Sequence, residues 1–252
     1  MTAKNRHSAK KGNEDMTTEK TTILGVELYS EWNRTLIVAD EIGDLGKEPK
    51  KIGKIYAPSK VLGFGISVVF DPDKYADIAL SYKKEKDIRG EMKARKMDNI
   101  EKIEVAAEIR KSGAETSGHY IDKTKDTPIG WKEQKGADSL VGLLLNALES
   151  TISKVDSKKI VVVVDRHNAY YGKNGESLAE AMSEELSRRC GKEVFCVIGR
   201  GSKSDWYSDH IQTNDVVSNA ILERKERHNP LVALVMRQKQ RRLGKNDDIR
   251  RK

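Results

Sequence analysis

The run KIVVVVD at 159–165 constrains this chain more than any other stretch. Five consecutive β-branched residues carry no polar alternation. A strand with one wet face alternates apolar with polar, whereas a strand covered on both faces does not. The run therefore reads as a central strand with helices on either side, and it ends in Asp165. Helical patterns flank it. The window 137–155 puts Leu140, Leu143, Leu144, Ala147, Leu148 and Ile152 on one face. A helix over 176–189, a strand over 193–198 and a helix over 209–226 continue the alternation of α and β.

The N-terminal part reads differently. Residues 22–30 (TILGVELYS), 34–39 (RTLIVA) and 60–70 (KVLGFGISVVF) are strand-like, and IGKIYA adds a fourth such run within 47–57. Asp40 to Gly46 holds two glycines and reads as a turn ending the second run. Strands joined without helices must pair antiparallel. Asp71-Pro72-Asp73 starts a helix to about Glu85, with Asp71 as N-cap and Pro72 in the first turn. A second helix is expected from about Asn99 to Arg110. Residues 111–136 are polar and glycine-containing, and read as a loop or insertion. The expected fold is α/β: an antiparallel meander followed by α/β units, giving a mixed sheet with helices on its faces.

Charge is unevenly placed. The 252 residues carry a net +8, with residues 1–20 at +2 and 223–252 at +7, so the middle is close to neutral. Residues 1–21 read as a disordered basic tail and 22–228 as the globular domain. Residues 229–252 read as a basic helix or tail, in which LVALVM leads into RQKQRRL. Basic ends suit phosphate contacts by Arg237, Lys239, Arg241 and Arg242; a solvated tail is the plainer alternative. Hydrophobic residues make up 37%, enough for one sizeable core. Cys190 and Cys196 are two cysteines at a spacing that forms no zinc or redox motif. No apolar run approaches the ~18 residues of a membrane span, and no signal peptide is evident. A cytoplasmic protein with no membrane partner is expected. The oligomeric state is left open.

Four acids stand out by place. Asp40 and Asp165 end hydrophobic strands, where α/β sheets build ligand sites. Asp215 borders the apolar face of the helix HIQTNDVVSNAIL. Glu91 lies in the link between two helices, beside Gly90 and Met92. Each has a structural alternative: a turn at Asp40, a cap at Asp165, an ion pair with Arg224 or Lys203 at Asp215, a solvated charge at Glu91. Carboxylates that converge repel one another and raise each other's pKa unless a cation is present. Mg²⁺ or Mn²⁺, as two ions, suits such oxygen donors. Two such ions clamp the attacking and leaving oxygens of a phosphodiester.

The turn Asp40-Glu41-Ile42-Gly43-Asp44, the segment Glu91-Met92-Lys93-Ala94, the strand ending in Asp165 and the helix Gln212-Thr213-Asn214-Asp215 occur in that order. In this they resemble the domain-of-unknown-function family 3800. The resemblance covers about 30–225. It implies a ribonuclease H-like fold and a metal-dependent nuclease, with Asp40, Glu91, Asp165 and Asp215 as metal-binding, catalytic carboxylates. The chain departs from the family pattern at Ile42, where serine is usual, at Thr213-Asn214, and in the 111–136 stretch.

Other residues join the candidate site. Glu41 and Asp44 are placed to support Asp40, and Lys93 to hold a scissile phosphate or to neutralise Glu91. The loop GRGSKSDWYSD at 199–209 offers Lys203, Trp206 and Tyr207 for nucleic acid, by charge and by stacking. His167 beside Asn168, and His119 beside Tyr120, are proton-relay candidates, with plain surface roles as alternatives. A nucleic acid, RNA or DNA, is the expected partner. Two rival readings stand beside the nuclease. One is a non-catalytic nucleic-acid or ribonucleoprotein-binding module of the same fold. The other is a PIN-type nuclease with an all-parallel sheet, against which the strand following Asp40 counts.

Overall fold

A computed structural model describes residues 35–43, 61–122, 136–166, 175–199, 205–224 and 239–242. One sheet organises them. In chain order the strands are β1 (Leu36–Gly43), β2 (Val61–Val69), β3 (Glu115–Asp122), β4 (Lys159–Asp165), β5 (Glu193–Gly199) and β6 (Lys239–Arg242). The helices are α1 (Pro72–Glu85), α2 (Asn99–Lys111), α3 (Gly136–Ile152), α4 (Gly175–Cys190) and α5 (Ser208–Leu222), with a 3₁₀ turn at Ala94–Lys96. The sheet order is β5-β4-β1-β2-β3-β6. β2 runs antiparallel to both its neighbours, and β4 and β5 run parallel to β1.

The KIVVVVD run is β4, placed between β1 and β5. Side chains alternate across a strand, so the run feeds two cores. Val161 and Val163 pack with α1, α2 and α5, while Ile160, Val162 and Val164 pack with α3 and α4. Each such side chain fully withdrawn from water contributes roughly 1.5–3 kcal/mol. This explains the absence of polar alternation. The fold is the α/β mixed sheet with helices on both faces, of ribonuclease H-like strand order.

Helix starts follow their caps. Asp71 accepts the Lys74 backbone N–H at 3.2 Å, and Pro72 stands at the start of α1. Asp98 accepts from Ile100 and Glu101, each at 2.8 Å, and Glu101 accepts the Asp98 N–H at 3.0 Å, a reciprocal capping box.

Several expectations are corrected. Asp40 does not end its strand: β1 continues through Ile42 to Gly43, which pairs with Leu62. Ile42 is a core residue at 1% exposure, so the segment pairs along its length instead of turning at Asp40. The two helices follow β2 as expected, and the antiparallel part of the sheet then gains a further strand, since β3 returns after α2 to pair with β2. Within 111–136, residues Glu115–Asp122 form β3 rather than loop. Small and polar residues masked that strand; its partner β2 and the cores on both faces bury it. The C-terminal basic segment contains strand β6 rather than helix, at 239–242. It runs parallel to β3, with Lys239 opposite Ser117 and Arg242 opposite Tyr120. An open edge of β3 decides that, and local helical patterning does not reveal it. The strand-like runs at 22–30 and 47–57, and the N-terminal tail, lie outside the described residues. Among the described residues no helix is long and apolar enough to cross a membrane.

Candidate active site

Strand parity and register set the first two acids. Leu36, Val38, Val161 and Val163 all face the α5 side of the sheet. Asp40 and Asp165 share that parity. The β1–β4 register pairs Ala39 with Val164, so the next residues on the two parallel strands are Asp40 and Asp165. Asp40 is 9% exposed, and its side chain accepts the Glu41 backbone N–H at 2.8 Å.

Helix α5 brings the third. It lies across β1 and β2 with an unusually polar buried face: Gln212, Thr213, Asn214 and Ser218 are all buried. Buried polar groups require partners, and each of these has one. Ser218 Oγ donates to the Asp40 carbonyl at 3.1 Å. Asn214 Nδ2 donates to the Gly65 carbonyl at 2.9 Å, and Asn214 Oδ1 accepts from Ser67 Oγ at 2.5 Å and Tyr75 Oη at 3.2 Å. Thr213 Oγ1 donates to the Tyr75 carbonyl at 3.1 Å. Close approach is possible because Gly65 has no side chain: a Cβ there would lie 2.3 Å from Ser218 Oγ. Gly118 does the same for Ile221, whose Cδ1 would lie 2.9 Å from a Cβ.

The fourth acid arrives on the α1–α2 link. Gln212 and Asp215 are three residues apart and share a helix face. Gln212 Oε1 accepts the Met92 backbone N–H at 2.7 Å, and Asp215 Oδ2 accepts that of Ala94 at 2.8 Å. The two N–H groups are two residues apart, on the same edge of an extended segment. The two motifs 120 residues apart in the chain are thus each other's hydrogen-bond partners. Met92 and Ala94 anchor the segment in the core at 0% exposure, leaving Glu91 and Lys93 beside the acids. Glu91 and Lys93 form an ion pair.

Electrostatics record the convergence. Burial, and then the charges of Asp215 and Asp165, hold the Asp40 carboxyl well above the usual carboxylate range. Burial pushes Asp165 up to about 6, with Glu91 and Asp215 adding to the effect and Lys93 opposing it. Asp215 is raised by burial, against the Ala94 N–H and Lys93. Burial works against the Lys93 ammonium, yet the Glu91 hydrogen bond and the charges of Asp215, Glu91 and Asp165 raise its pKa. Asp40, Glu91, Asp165, Asp215 and Lys93 therefore act on one another across one site. The donor set is wholly carboxylate oxygen, which fits a hard divalent ion, and one ammonium does not cancel the proton affinity of Asp40 and Asp165. As arranged, no three His, Cys, Asp or Glu side chains among the described residues form a ready-made metal cage.

Other candidates are placed elsewhere. Trp206 is half-buried against the core, edge-on to Tyr207 at 5.4 Å and to His210 at 5.8 Å. The Tyr207 ring covers Gly199, where a Cβ would lie 2.0 Å from the ring. His119 is not on a polar loop: it is 1% exposed on β3, its Nε2 3.1 Å from Ser117 Oγ and 3.3 Å from Thr151 Oγ1. That burial corrects its reading as a proton relay. Lys239, Arg241 and Arg242 lie on β6. Asp44, His167, Asn168, Lys203 and Arg237 lie outside the described residues. The residues missed as site members are Gln212 and Ser218. Their shared signal was a run of polar residues inside an otherwise apolar helix.

The strand order, with β2 antiparallel beside β1 and β4 parallel on its other side, places the chain in the ribonuclease H-like class of α/β folds. One solved structure, described as that of the PCNA:RNase HII complex from Archaeoglobus fulgidus, is similar over 77% of this chain and 75% of that one. The TM-score is 0.47 and the sequence identity 16%. No protein-family model, family 3800 included, and no curated protein matches the chain.

Proposed function

We propose that this chain is a divalent-metal-dependent nuclease, akin to the family 3800 proteins its motifs resemble, that hydrolyses phosphodiester bonds in RNA or DNA. The observation that carries the reading is the meeting of four acids from four separate elements, with Asp40 and Asp165 held above the usual carboxylate range by burial and by neighbouring carboxylates. Asp40, Glu91, Asp165 and Asp215 would hold Mg²⁺ or Mn²⁺. Such ions, when bound, supply Lewis acidity to the attacking water and the departing oxygen. The chain's own contributions are distinct. Asp215, fixed by the Ala94 N–H, keeps the Glu91–Lys93 segment against the strand acids. Lys93 offers an ammonium to a phosphate oxygen. Ser218, through the Asp40 carbonyl, fixes β1 beneath α5.

A second reading has its own observation. Glu91 is already neutralised by Lys93, and no metal cage is preformed among the described residues. A non-catalytic nucleic-acid-binding module would need neither ion. Calorimetric titration of Mn²⁺ into the wild type and Asp165→Asn separates the two, together with cleavage assays on RNA, DNA and hybrid strands. The nuclease reading expects binding and cleavage in the wild type and loss of both in the variant. Strand binding in EDTA, with neither metal binding nor cleavage, would establish the module instead.

A further inference from the structure

Beyond Lys93 the chain passes through the 3₁₀ turn Ala94–Lys96 and returns to the start of α2. That turn, with the end of α1, walls a cavity of about 280 Å³. Its lining has two characters. Tyr82, Ile88 and Met97 supply apolar and aromatic surface, while Lys86, Lys93 and Lys96 supply positive charge. Its two acids are engaged: Glu91 with Lys93, and Glu101 with Lys86 at 3.2 Å and with the Asp98 N–H at 3.0 Å. Lys96 is exposed and forms no ion pair among the described residues.

We propose that this cavity holds one nucleotide of a single strand, next to the phosphate that lies at the carboxylates. The inference rests on the nuclease reading only for which phosphate is attacked. Size favours one nucleotide over a duplex, since the volume is at the small end of ligand sites. The Tyr82 ring, with Lys86 Nζ 5.9 Å from its centroid, sets aromatic surface and positive charge side by side for a base and its phosphate, a contact tolerant of sequence. Lys96 offers an uncommitted cation for the phosphate on that nucleotide. Glu91 and Lys93 line this cavity and also belong to the acid cluster, so a strand seated here passes directly by Asp165 and Asp215.

The test uses the full chain and a short fluorescein-labelled single strand of RNA or of DNA, with EDTA present. Anisotropy is read for the wild type, Lys96→Glu, Tyr82→Ala and Tyr82→Phe, with circular dichroism melts to verify folding. Lys96→Glu is expected to weaken binding about fivefold or more and to lower the salt slope by about one. Tyr82→Ala is expected to weaken it too, and Tyr82→Phe, which keeps the ring, to bind like the wild type. Unchanged affinity in Lys96→Glu and Tyr82→Ala, or no strand binding by the wild type, overturns the proposal. Cleavage with Mn²⁺ then separates the two ideas. A wild type that cleaves, with KM unchanged in Lys96→Glu, leaves the nuclease reading standing and removes the cavity. Binding that Lys96→Glu weakens, with no cleavage by the wild type, does the reverse.

Discussion

The carboxylate of Asp215 accepts a hydrogen bond from the backbone N–H of Ala94 at 2.8 Å. A helix acid thereby holds the link that carries Glu91 and Lys93, and Gln212 repeats the contact at Met92. Gln212→Ala leaves the buried Met92 N–H without its acceptor, a loss of roughly 1–3 kcal/mol. Urea unfolding should record that loss. Cleavage should fall further than stability explains, because the Glu91–Lys93 segment is released.

Asp165 has a pKa of about 6 against an ordinary 3.8. A carboxyl whose pKa is raised by folding binds its proton more tightly in the folded state. Its contribution to stability therefore falls as pH rises from about 4 to beyond 6. Asp165→Asn should be more stable than the metal-free wild type at pH 8, by roughly 1–3 kcal/mol. The difference should vanish toward pH 4. Mn²⁺ should raise the melting temperature of the wild type and not of the variant. A variant less stable than the wild type at pH 8 would contradict the crowding of acids.

Gly65 is a packing requirement. An alanine Cβ there would lie 2.3 Å from Ser218 Oγ and 2.9 Å from Ser218 Cα. Gly65→Ala should lift α5 from the sheet at a cost of roughly 1–3 kcal/mol and displace Asp215 with it. Gly90→Ala, where a Cβ meets nothing within 4 Å, should change stability by less than about 0.5 kcal/mol. Thermal melts and metal titration of the two variants check this.

Lys102 and Glu223 form a buried ion pair at 3.2 Å, their side chains 6% and 7% exposed. The pair joins α2 to the end of α5. Lys102→Met removes the ammonium that faces the buried Glu223 carboxylate and should cost roughly 3–5 kcal/mol. The double variant Lys102→Met/Glu223→Leu should recover most of that in denaturant unfolding, since an apolar pair of similar volume carries no desolvation penalty.

Legibility followed the range of each signal. Asp71 announces α1 because capping acts within one helical turn. The sequence ETSGHYID hides β3, since a strand of small and polar residues is recognised by its partner and not by its own composition. Residues 239–242 carry a basic pattern that reads as helix or tail, and the open edge of β3 makes part of it a strand. At the site, the four acids were visible as residues at element ends and motif positions, yet Asp40 sits inside its strand. The roles of Gln212 and Ser218 were not visible, because their partners are Met92 and Asp40, far away in the chain.

By itself the sequence determined the two-sided central strand, the main helices with the Asp71 cap of α1, and the acid placed after five β-branched residues. These depend on periodicity and on contacts within a few residues. Tertiary structure decided which acids meet, how α5 grips the link through Gln212 and Asp215, and where β3 and β6 join the sheet. Those outcomes depend on register and close approach between segments far apart in the chain, and no local pattern encodes either.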